Sequence, residues 1–403
     1  MNLFRALRNR PFALLWSGQT VSRIGDSLYR IALAWWVLEK TGSATAMGTV
    51  LIFTSVPTLL FLLIGGVVVD RLPRPRVMLA SDLSQGVIVA IVSMLALSNL
   101  LQVWHIYVAS IVFGLAEAFF RPAYTAILPD VTPRESLNSA NSLTTLSNEV
   151  AGVGGPAIGA AIVAAGGTSI AFALDAVSFF ISAACLIGIL SLAQTKIEPR
   201  ESTSVVRDVS EGIGAVRASP WLWITITFAA FANITLAGPF SVTTPFLIKD
   251  HLHADVGSLG LVYSVFSLGS VVAAIWLGSR LHVRRRGLFT YSVWLVSALT
   301  LIAIGLSQSV LGVAIAAFIC GAGLSIGNLI WINTLQELVP TNLLGRVSSI
   351  DNLGSLVFTP IGYGVAGWAT DLIGPAGVFI IGGIIACGLA LLGMLHPAVQ
   401  ALD

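Results

Sequence analysis

Residues 66–76 read Gly66-Val-Val-Val-Asp70-Arg71-Leu-Pro-Arg74-Pro-Arg76, which places three arginines and one aspartate between two long apolar runs. A short charged turn between apolar runs is typical of a hairpin that crosses a membrane twice. A weaker copy follows 212 residues later, where Gly278 and Arg286 take the places of Gly66 and Arg74. The repeat indicates two related halves in one polypeptide.

Composition decides the broad class of the protein. Of the 403 residues, 56% are apolar and only 10% are charged, whereas about 25% are charged in soluble domains. We therefore expect an all-α integral membrane protein, long enough for about twelve helices of about 20 residues each. The predicted spans are residues 11–38, 44–69, 76–97, 103–125, 137–165, 169–192, 221–248, 258–278, 288–306, 310–335, 347–370 and 376–395.

The arginine and lysine positions predict the orientation, because these residues accumulate in cytoplasmic loops. If both termini are cytoplasmic, most of the 21 basic residues fall on the inner side and only Lys40 and Lys249 fall on the outer side. An odd number of spans would destroy this asymmetry. We therefore expect a multi-pass protein with both termini in the cytoplasm.

The two halves continue to correspond beyond the charged turn. Leu128-Pro-Asp130 corresponds to Leu335-Gln-Glu337, which lies 207 residues later. Gly155-Pro156-Ala-Ile-Gly159 corresponds to Thr359-Pro360-Ile-Gly362. The sequence predicts a six-helix bundle over residues 1–192 and another over residues 220–403. Residues 193–219, the longest hydrophilic segment, are interpreted as a partly helical cytoplasmic linker, with a regulatory site as the alternative.

These motifs resemble the major facilitator superfamily, whose signature between spans two and three is approximately G-x-x-x-D-R-x-G-R-R-x. Gly66, Asp70, Arg71, Arg74 and Arg76 match, whereas prolines replace a glycine and a basic residue. Within the superfamily, the run from Phe113 to Ala123 and the Gly155-Pro156 element resemble the branch of macrolide-efflux and enterobactin-export proteins. The resemblance implies two pseudo-symmetric six-helix bundles, alternating access and a bacterial inner-membrane location.

The resemblance also implies that the charged turn forms a cytoplasmic gate. Opposite charges at the membrane face can form pairs that break when two bundles separate. The alternative is that the arginines serve only topology and lipid contact. The predicted gate residues are Gly66, Asp70, Arg71, Arg74, Arg76 and Asp82. Gly155, Pro156 and Gly159 resemble the antiporter motif of drug exporters, although helix packing alone would also explain them.

Ionisable groups inside the spans are candidates for coupling transport to protons. Each costs about 2.5–3.5 kcal/mol at a helix centre, so we expect them to face the protein interior. The proton-coupling candidates are Asp26, Glu117 and Glu149, and their predicted charge partners are Arg23, Arg30 and Arg121. A permanent structural ion pair is the alternative for Asp26 and for Glu117. Asp175 is expected to be structural.

Aromatic and amide side chains within the spans could line an apolar substrate cavity, although packing and lipid contact explain such residues equally well. Their abundance fits a lipophilic substrate without identifying it. The candidates are Trp35, Phe119, Phe120, Asn233, Asn328 and Trp331.

Other classes of protein lack their usual motifs here. None of the three lysines follows a glycine, which excludes a phosphate-binding Walker loop. The five histidines are scattered and the three cysteines lie in apolar spans, so we expect no metal site, no cofactor and no enzyme activity. The net charge of +2 argues against nucleic-acid binding.

The sequence thus predicts a monomeric secondary transporter in a lipid bilayer that exports lipophilic or amphipathic small molecules in exchange for protons, as in multidrug or macrolide efflux. A dedicated siderophore or lipid exporter is one alternative. A membrane sensor or scaffold that does not transport is another.

Overall fold

The computed structural model describes residues 3–192, 205–278 and 285–402, and within them the chain is helical without a strand. Short 3₁₀ turns cover Leu3–Arg8 and Arg134–Ser136, and π-helical segments over Pro239–Thr243 and Leu247–His251 flank the short helix α8. Of the predicted linker, residues 193–204 lie outside the described residues, as do residues 279–284 in the second charged turn. The helices are α1 (Arg10–Thr41), α2 (Ala44–Arg71), α3 (Arg74–Leu97), α4 (Val103–Ile127), α5 (Leu137–Leu192), α6 (Val205–Ala218), α7 (Pro220–Gly238), α8 (Thr244–Phe246), α9 (Val256–Gly278), α10 (Arg286–Leu306), α11 (Val310–Leu338), α12 (Thr341–Leu356), α13 (Thr359–Leu395) and α14 (Pro397–Gln400).

The helices account for the predicted twelve spans. In the described part of the chain, nine helical segments are long and apolar enough to cross a membrane. Two of these, Arg134–Leu190 with 57 residues and Leu343–Leu395 with 53, are long enough to cross twice. Helix α1 has 32 residues and is also long enough, although it carries Arg23, Asp26 and Arg30. The predicted all-α fold with twelve spans is confirmed.

The helices group into two compact units. The first unit contains α1, α2 from Thr49 onward, and α3 to α5, whereas the second contains Ser43–Gly48 and α6 to α14. Helix α6 packs on α12 of its own unit, where Arg346 pairs with Glu211 at 2.5 Å. The described part of the predicted linker therefore belongs to the second unit.

The start of α2 is capped within the second unit by Asp371 of α13. The carboxylate accepts hydrogen bonds from the backbone N–H groups of Ala44 at 2.7 Å and Thr45 at 3.0 Å, and from the Ser43 hydroxyl at 2.9 Å. The first N–H groups of a helix lack intrahelical partners, and a carboxylate satisfies both them and the helix dipole. Asp371 therefore supplies the N-cap of α2.

Two glycines separate consecutive spans inside α5 and α13. Gly167 has φ 80° and ψ 171°, and Gly374, 207 residues later, has φ 77° and ψ 161°. Glycine is the residue that adopts this region without strain. Gly167 thus connects the fifth and sixth spans in the first half, and Gly374 connects the eleventh and twelfth spans in the second half.

A second repeated feature is the close contact between spans two and four of each half. The Thr58 hydroxyl of α2 donates to the Gly114 carbonyl of α4 at 3.0 Å, and the Ser270 hydroxyl of α9 donates to the Gly321 carbonyl of α11, also at 3.0 Å. Small residues let membrane helices approach until such bonds form. The two halves therefore share a backbone contact as well as a sequence pattern.

Candidate functional site

The charged turn of the first half contains an ion pair. Arg74, at the start of α3, pairs with Asp130 just after α4 and also donates to the Ala126 carbonyl at 3.1 Å. In the second half Arg286, at the start of α10, pairs with Glu337 near the end of α11 at 2.5 Å. These residues correspond in the sequence repeat, so each half ties its third span to its fourth in the same way.

The other predicted gate residues of the turn are open to the surroundings. Asp70, Arg71 and Arg76 are exposed, and within the described ranges Asp70 forms no ion pair. A Cβ added at Gly66 would meet no described atom within 4 Å. The first unit alone therefore explains Arg74 but gives no structural reason for Gly66 or Asp70.

A double-mutant cycle on Arg74 and Asp130 tests whether their pair stabilises the turn. Their side chains are 29% and 34% exposed, so we expect a coupling energy of about 0.5–1 kcal/mol, near the upper end for partly exposed pairs. Arg74→Gln and Asp130→Asn should each lower the thermal midpoint in detergent, and the double variant should lose less than their sum. Arg71→Gln is the exposed control. Strict additivity would show that the pair contributes nothing.

Asp82, predicted to join the gate, lies in the interior of the first unit. Its side chain is 1% exposed. Ser182 of α5 donates to Asp82 Oδ2 at 2.6 Å, and the Gln19 amide of α1 donates to the Ser182 hydroxyl at 2.8 Å. A chain of hydrogen bonds thus joins α1, α5 and α3 through Ser182.

Asp175 of α5 is also fully buried, with no exposed side-chain surface. Its Oδ1 accepts a hydrogen bond from Ser178 at 3.3 Å, but its Oδ2 has no partner in the part of the chain that the structure describes. The buried Tyr29 hydroxyl of α1 likewise has no described partner and interacts electrostatically with Asp175. Asp175 Oδ2 and the Tyr29 hydroxyl are therefore unusual, because buried polar atoms are normally hydrogen-bonded.

Asp26 is the centre of these buried groups. It interacts electrostatically with Arg30, Glu117 and Arg23, and Asp82 and Asp175 each interact with Asp26 in turn. Within the described residues neither arginine forms a contact ion pair with Asp26. Instead Arg30 donates to the Ser27 hydroxyl at 3.4 Å, and the Arg23 guanidinium lies 5.3 Å from the centre of the Tyr124 ring.

The two remaining proton-coupling candidates differ in their surroundings. Glu117 pairs with Arg121 one helical turn away at 2.5 Å, and their side chains are 34% and 65% exposed. Glu149 is half-buried on α5 and has no hydrogen bond or ion pair within residues 3–192, 205–278 and 285–402. Glu117 is thus electrostatically linked to Asp26, whereas Glu149 stands apart from that group.

The antiporter-like element positions α5 against α1. A Cβ at Gly155 would lie 2.5 Å from Ser27 Cβ, and one at Gly159 would lie 3.1 Å from Leu28 Cα. The other span of α5, beyond Gly167, also packs on α1, since a Cβ at Gly25 would lie 2.6 Å from Asp175 Oδ1. Absent side chains therefore let α5 approach α1 and bring Asp175 against the backbone beside Asp26.

Of the predicted substrate-cavity residues, the structure brings Asn328 and Trp331 together. Both line a cavity of about 250 Å³ between α11 and α12 of the second unit. Asn233 of α7 instead donates to the Ser355 carbonyl at 2.7 Å. In the first unit, buried Trp35 donates to Glu39 at 2.8 Å, Phe119 lines a separate apolar groove, and Phe120 stacks on Tyr124.

Asp351, which was not among the predicted site residues, also lines the cavity of Asn328 and Trp331. Its signal in the sequence was its position as the one charged residue of the predicted span 347–370. No group of three metal-ligating side chains occurs among the residues that the structure describes.

The comparison with known proteins covers almost the whole chain. Macrolide efflux protein A of Streptococcus pyogenes is 23% identical over 399 residues, which are 97% of each chain. The multidrug efflux pump Tap of Mycolicibacterium fortuitum is 28% identical over 411 residues, covering 98% of this chain and 97% of Tap. The enterobactin exporter EntS of Salmonella typhimurium is 24% identical over 407 residues, covering 98% and 93%.

A solved structure supports the same fold. The crystal structure of a bacterial homologue of the iron transporter ferroportin aligns with a TM-score of 0.74 at 18% identity, covering 96% of this chain and 99% of that one. A family model described as the Major Facilitator Superfamily matches residues 15–355 and 240–400. The protein is therefore a membrane transporter rather than an enzyme, and it belongs to the major facilitator superfamily.

Proposed function

We propose that this transporter exports lipophilic or amphipathic small molecules in exchange for protons. It would act as a monomer in the cell membrane, with both termini cytoplasmic and the turn around Asp70 as part of a cytoplasmic gate. The efflux names of the relatives support the direction of transport. The observation that carries proton coupling is the group of three interacting carboxyls, Asp26, Asp82 and Asp175, in the interior of the first unit.

Electrostatics makes this group suited to binding a proton. Ionised carboxylates in apolar surroundings lose their hydration and repel one another, so neighbouring carboxyls of this kind share protons. Asp175 has an oxygen without a described partner, which leaves a position for a proton. Asp26 is half-buried, whereas Asp82 and Asp175 are buried, so we assign proton entry and exit to Asp26.

The arginines beside Asp26 provide a way to release the proton. Arg23 and Arg30 flank Asp26 on one face of α1, and neither contacts it directly in this structure. Pairing of either guanidinium with Asp26 would favour the ionised carboxylate. Alternation between a protonated Asp26 and one paired with arginine would couple proton movement to the conformation of the transporter.

Proton flux in proteoliposomes tests the proposal. Liposomes containing a pH-sensitive dye would receive a panel of chemically unrelated lipophilic drugs under an imposed pH gradient. We expect drug-dependent proton movement in the wild type and at least tenfold less in Asp26→Asn. Asp175→Asn should change the number of protons moved per drug, and Asp255→Asn, which alters an exposed loop, is the control.

Three other results would each contradict a different part of the proposed function. Normal flux in both Asp26→Asn and Asp175→Asn would place coupling at Glu117 or Glu149. No flux in folded, correctly oriented wild-type protein with any drug would reject proton-coupled multidrug export. A response to a single chemical class would instead favour a dedicated exporter.

A further inference from the structure

The cavity between α11 and α12 combines one carboxylate with neutral polar and aromatic walls. Its volume is about 250 Å³, which is below the usual 300–1,000 Å³ of a site that encloses a whole drug-sized ligand. It is large enough for one end of such a molecule. The lining residues are Asn328, Trp331, Ile332, Leu335, Gln336, Leu344, Ser348, Asp351 and Asn352.

The Asp351 carboxylate is held by a neutral donor. The Trp331 indole Nε1 donates to Asp351 Oδ2 at 3.0 Å. This bond fixes the orientation of Asp351 as a hydrogen-bond acceptor. It does not supply the positive charge that a carboxylate in partly apolar surroundings requires.

Protein cations do not supply that charge in the described part of the chain. Asp351 forms no ion pair there. Arg346 of α12 pairs with Glu211, and Arg286 of α10 pairs with Glu337 of α11, each at 2.5 Å. The cavity therefore contains a fixed acceptor without a counter-charge.

The walls of the cavity are suited to a cation. Trp331 is 9% exposed and packs edge to face on Trp221, with ring centres 5.6 Å apart, so its ring is rigidly held. An aromatic face beside a carboxylate attracts organic ammonium groups. Asn328 and Asn352, both exposed, can solvate the remainder of a ligand through their amide groups.

We propose that this cavity binds the ammonium head of a cationic amphiphile, with Asp351 as its counter-ion and Trp331 as its aromatic wall. Asp351 lies ten residues after Thr341, the start of α12, which is about 15 Å along the helix. In the orientation of the proposed function this end is cytoplasmic, where an exporter collects its substrate. That the bound cation is a transport substrate rests on the proposed function, whereas the binding itself does not.

Binding of two matched fluorescent probes tests the site. Trimethylammonium-diphenylhexatriene is cationic, and diphenylhexatriene is its uncharged counterpart. Energy transfer from tryptophan to each probe would be measured with the purified full-length protein in nanodiscs, and the signal of empty nanodiscs would be subtracted. No pH gradient is applied, so the result is independent of proton coupling.

We expect the wild type to bind the cationic probe at least tenfold more tightly than the uncharged one. Asp351→Asn should remove this preference, Asp351→Glu should retain part of it, and both variants should bind the uncharged probe as the wild type does. Asp255→Asn is the control for a lost surface charge. An unchanged thermal midpoint shows that the variants are folded.

Two outcomes would overturn the proposal. One is a wild type without preference for the cationic probe, and the other is a folded Asp351→Asn variant that retains the preference. Failure of the proposed function gives a different pattern, in which cation binding depends on Asp351 but no drug drives proton flux in proteoliposomes.

Discussion

Replacing Gly114 with alanine is expected to destabilise the folded protein strongly. A Cβ at this position would lie 2.1 Å from the Thr54 carbonyl oxygen and 3.0 Å from its carbon. Backbone atoms cannot move aside as a flexible side chain can, so α2 and α4 would have to separate. Overpacking of this kind costs about 1–3 kcal/mol and sometimes more, and separation would also break the Thr58 hydrogen bond to the Gly114 carbonyl.

The second half provides an independent repetition of this experiment. A Cβ at Gly321 would lie 2.1 Å from the Phe266 carbonyl oxygen, so Gly321→Ala should have the same effect. Size-exclusion profiles and thermal midpoints in detergent would measure it. Gly388→Ala is the matched control, because no described atom lies within 4 Å of a Cβ there. If Gly114→Ala has the midpoint of Gly388→Ala, the close contact is not required for folding.

Replacing Gly167 or Gly374 with alanine should destabilise the protein for a different reason. At both glycines the surroundings leave room for a methyl group, since the closest described atom is 4.0 Å away at Gly167 and none lies within 4 Å at Gly374. The backbone is the obstacle, because positive φ with ψ near 180° is essentially restricted to glycine. The expected cost is about 1–3 kcal/mol for each substitution.

Asparagine distinguishes this backbone effect from a general sensitivity of turns. Gly42 has φ 59° and ψ 13°, a left-handed conformation that asparagine accepts comparatively well. Gly42→Asn should therefore be tolerated, whereas Gly167→Asn and Gly374→Asn should lower the thermal midpoint as much as alanine does. Equal midpoints for all three asparagine variants would contradict the explanation from backbone conformation.

The number of spans could be predicted from the sequence, because the apolar runs and the placement of the basic residues largely determine it. The boundaries depend on packing and were less predictable. Residues 166–168 were predicted as a connection, but α5 is interrupted at Gly167 alone, since one glycine suffices for the turn. The eleventh span was predicted to begin at residue 347, whereas α12 begins at Thr341, directly after Pro340.

The candidate residues of the site could be found in the sequence, but their partners could not. Asp26 stands out because charge is rare in an apolar span. Asp82 meets Ser182 across 100 residues, and Gln19 meets Ser182 across 163, which no local pattern reveals. Asp82 follows the charged turn closely along the chain, and proximity in sequence suggested a gate role for a side chain that points into the interior.

The ion pair between the third and fourth spans has a consequence for the history of the chain. Arg74 with Asp130 and Arg286 with Glu337 occupy equivalent places, while most residues around them differ between the halves. If the halves descend from one ancestral segment, the ion pair was retained while the residues around it diverged. Glutamate in place of aspartate in the second copy shows that the pair can form with one additional methylene. The second half thus serves as a homologous sequence for the first, and it shows which acid an equivalent position accepts among different neighbours.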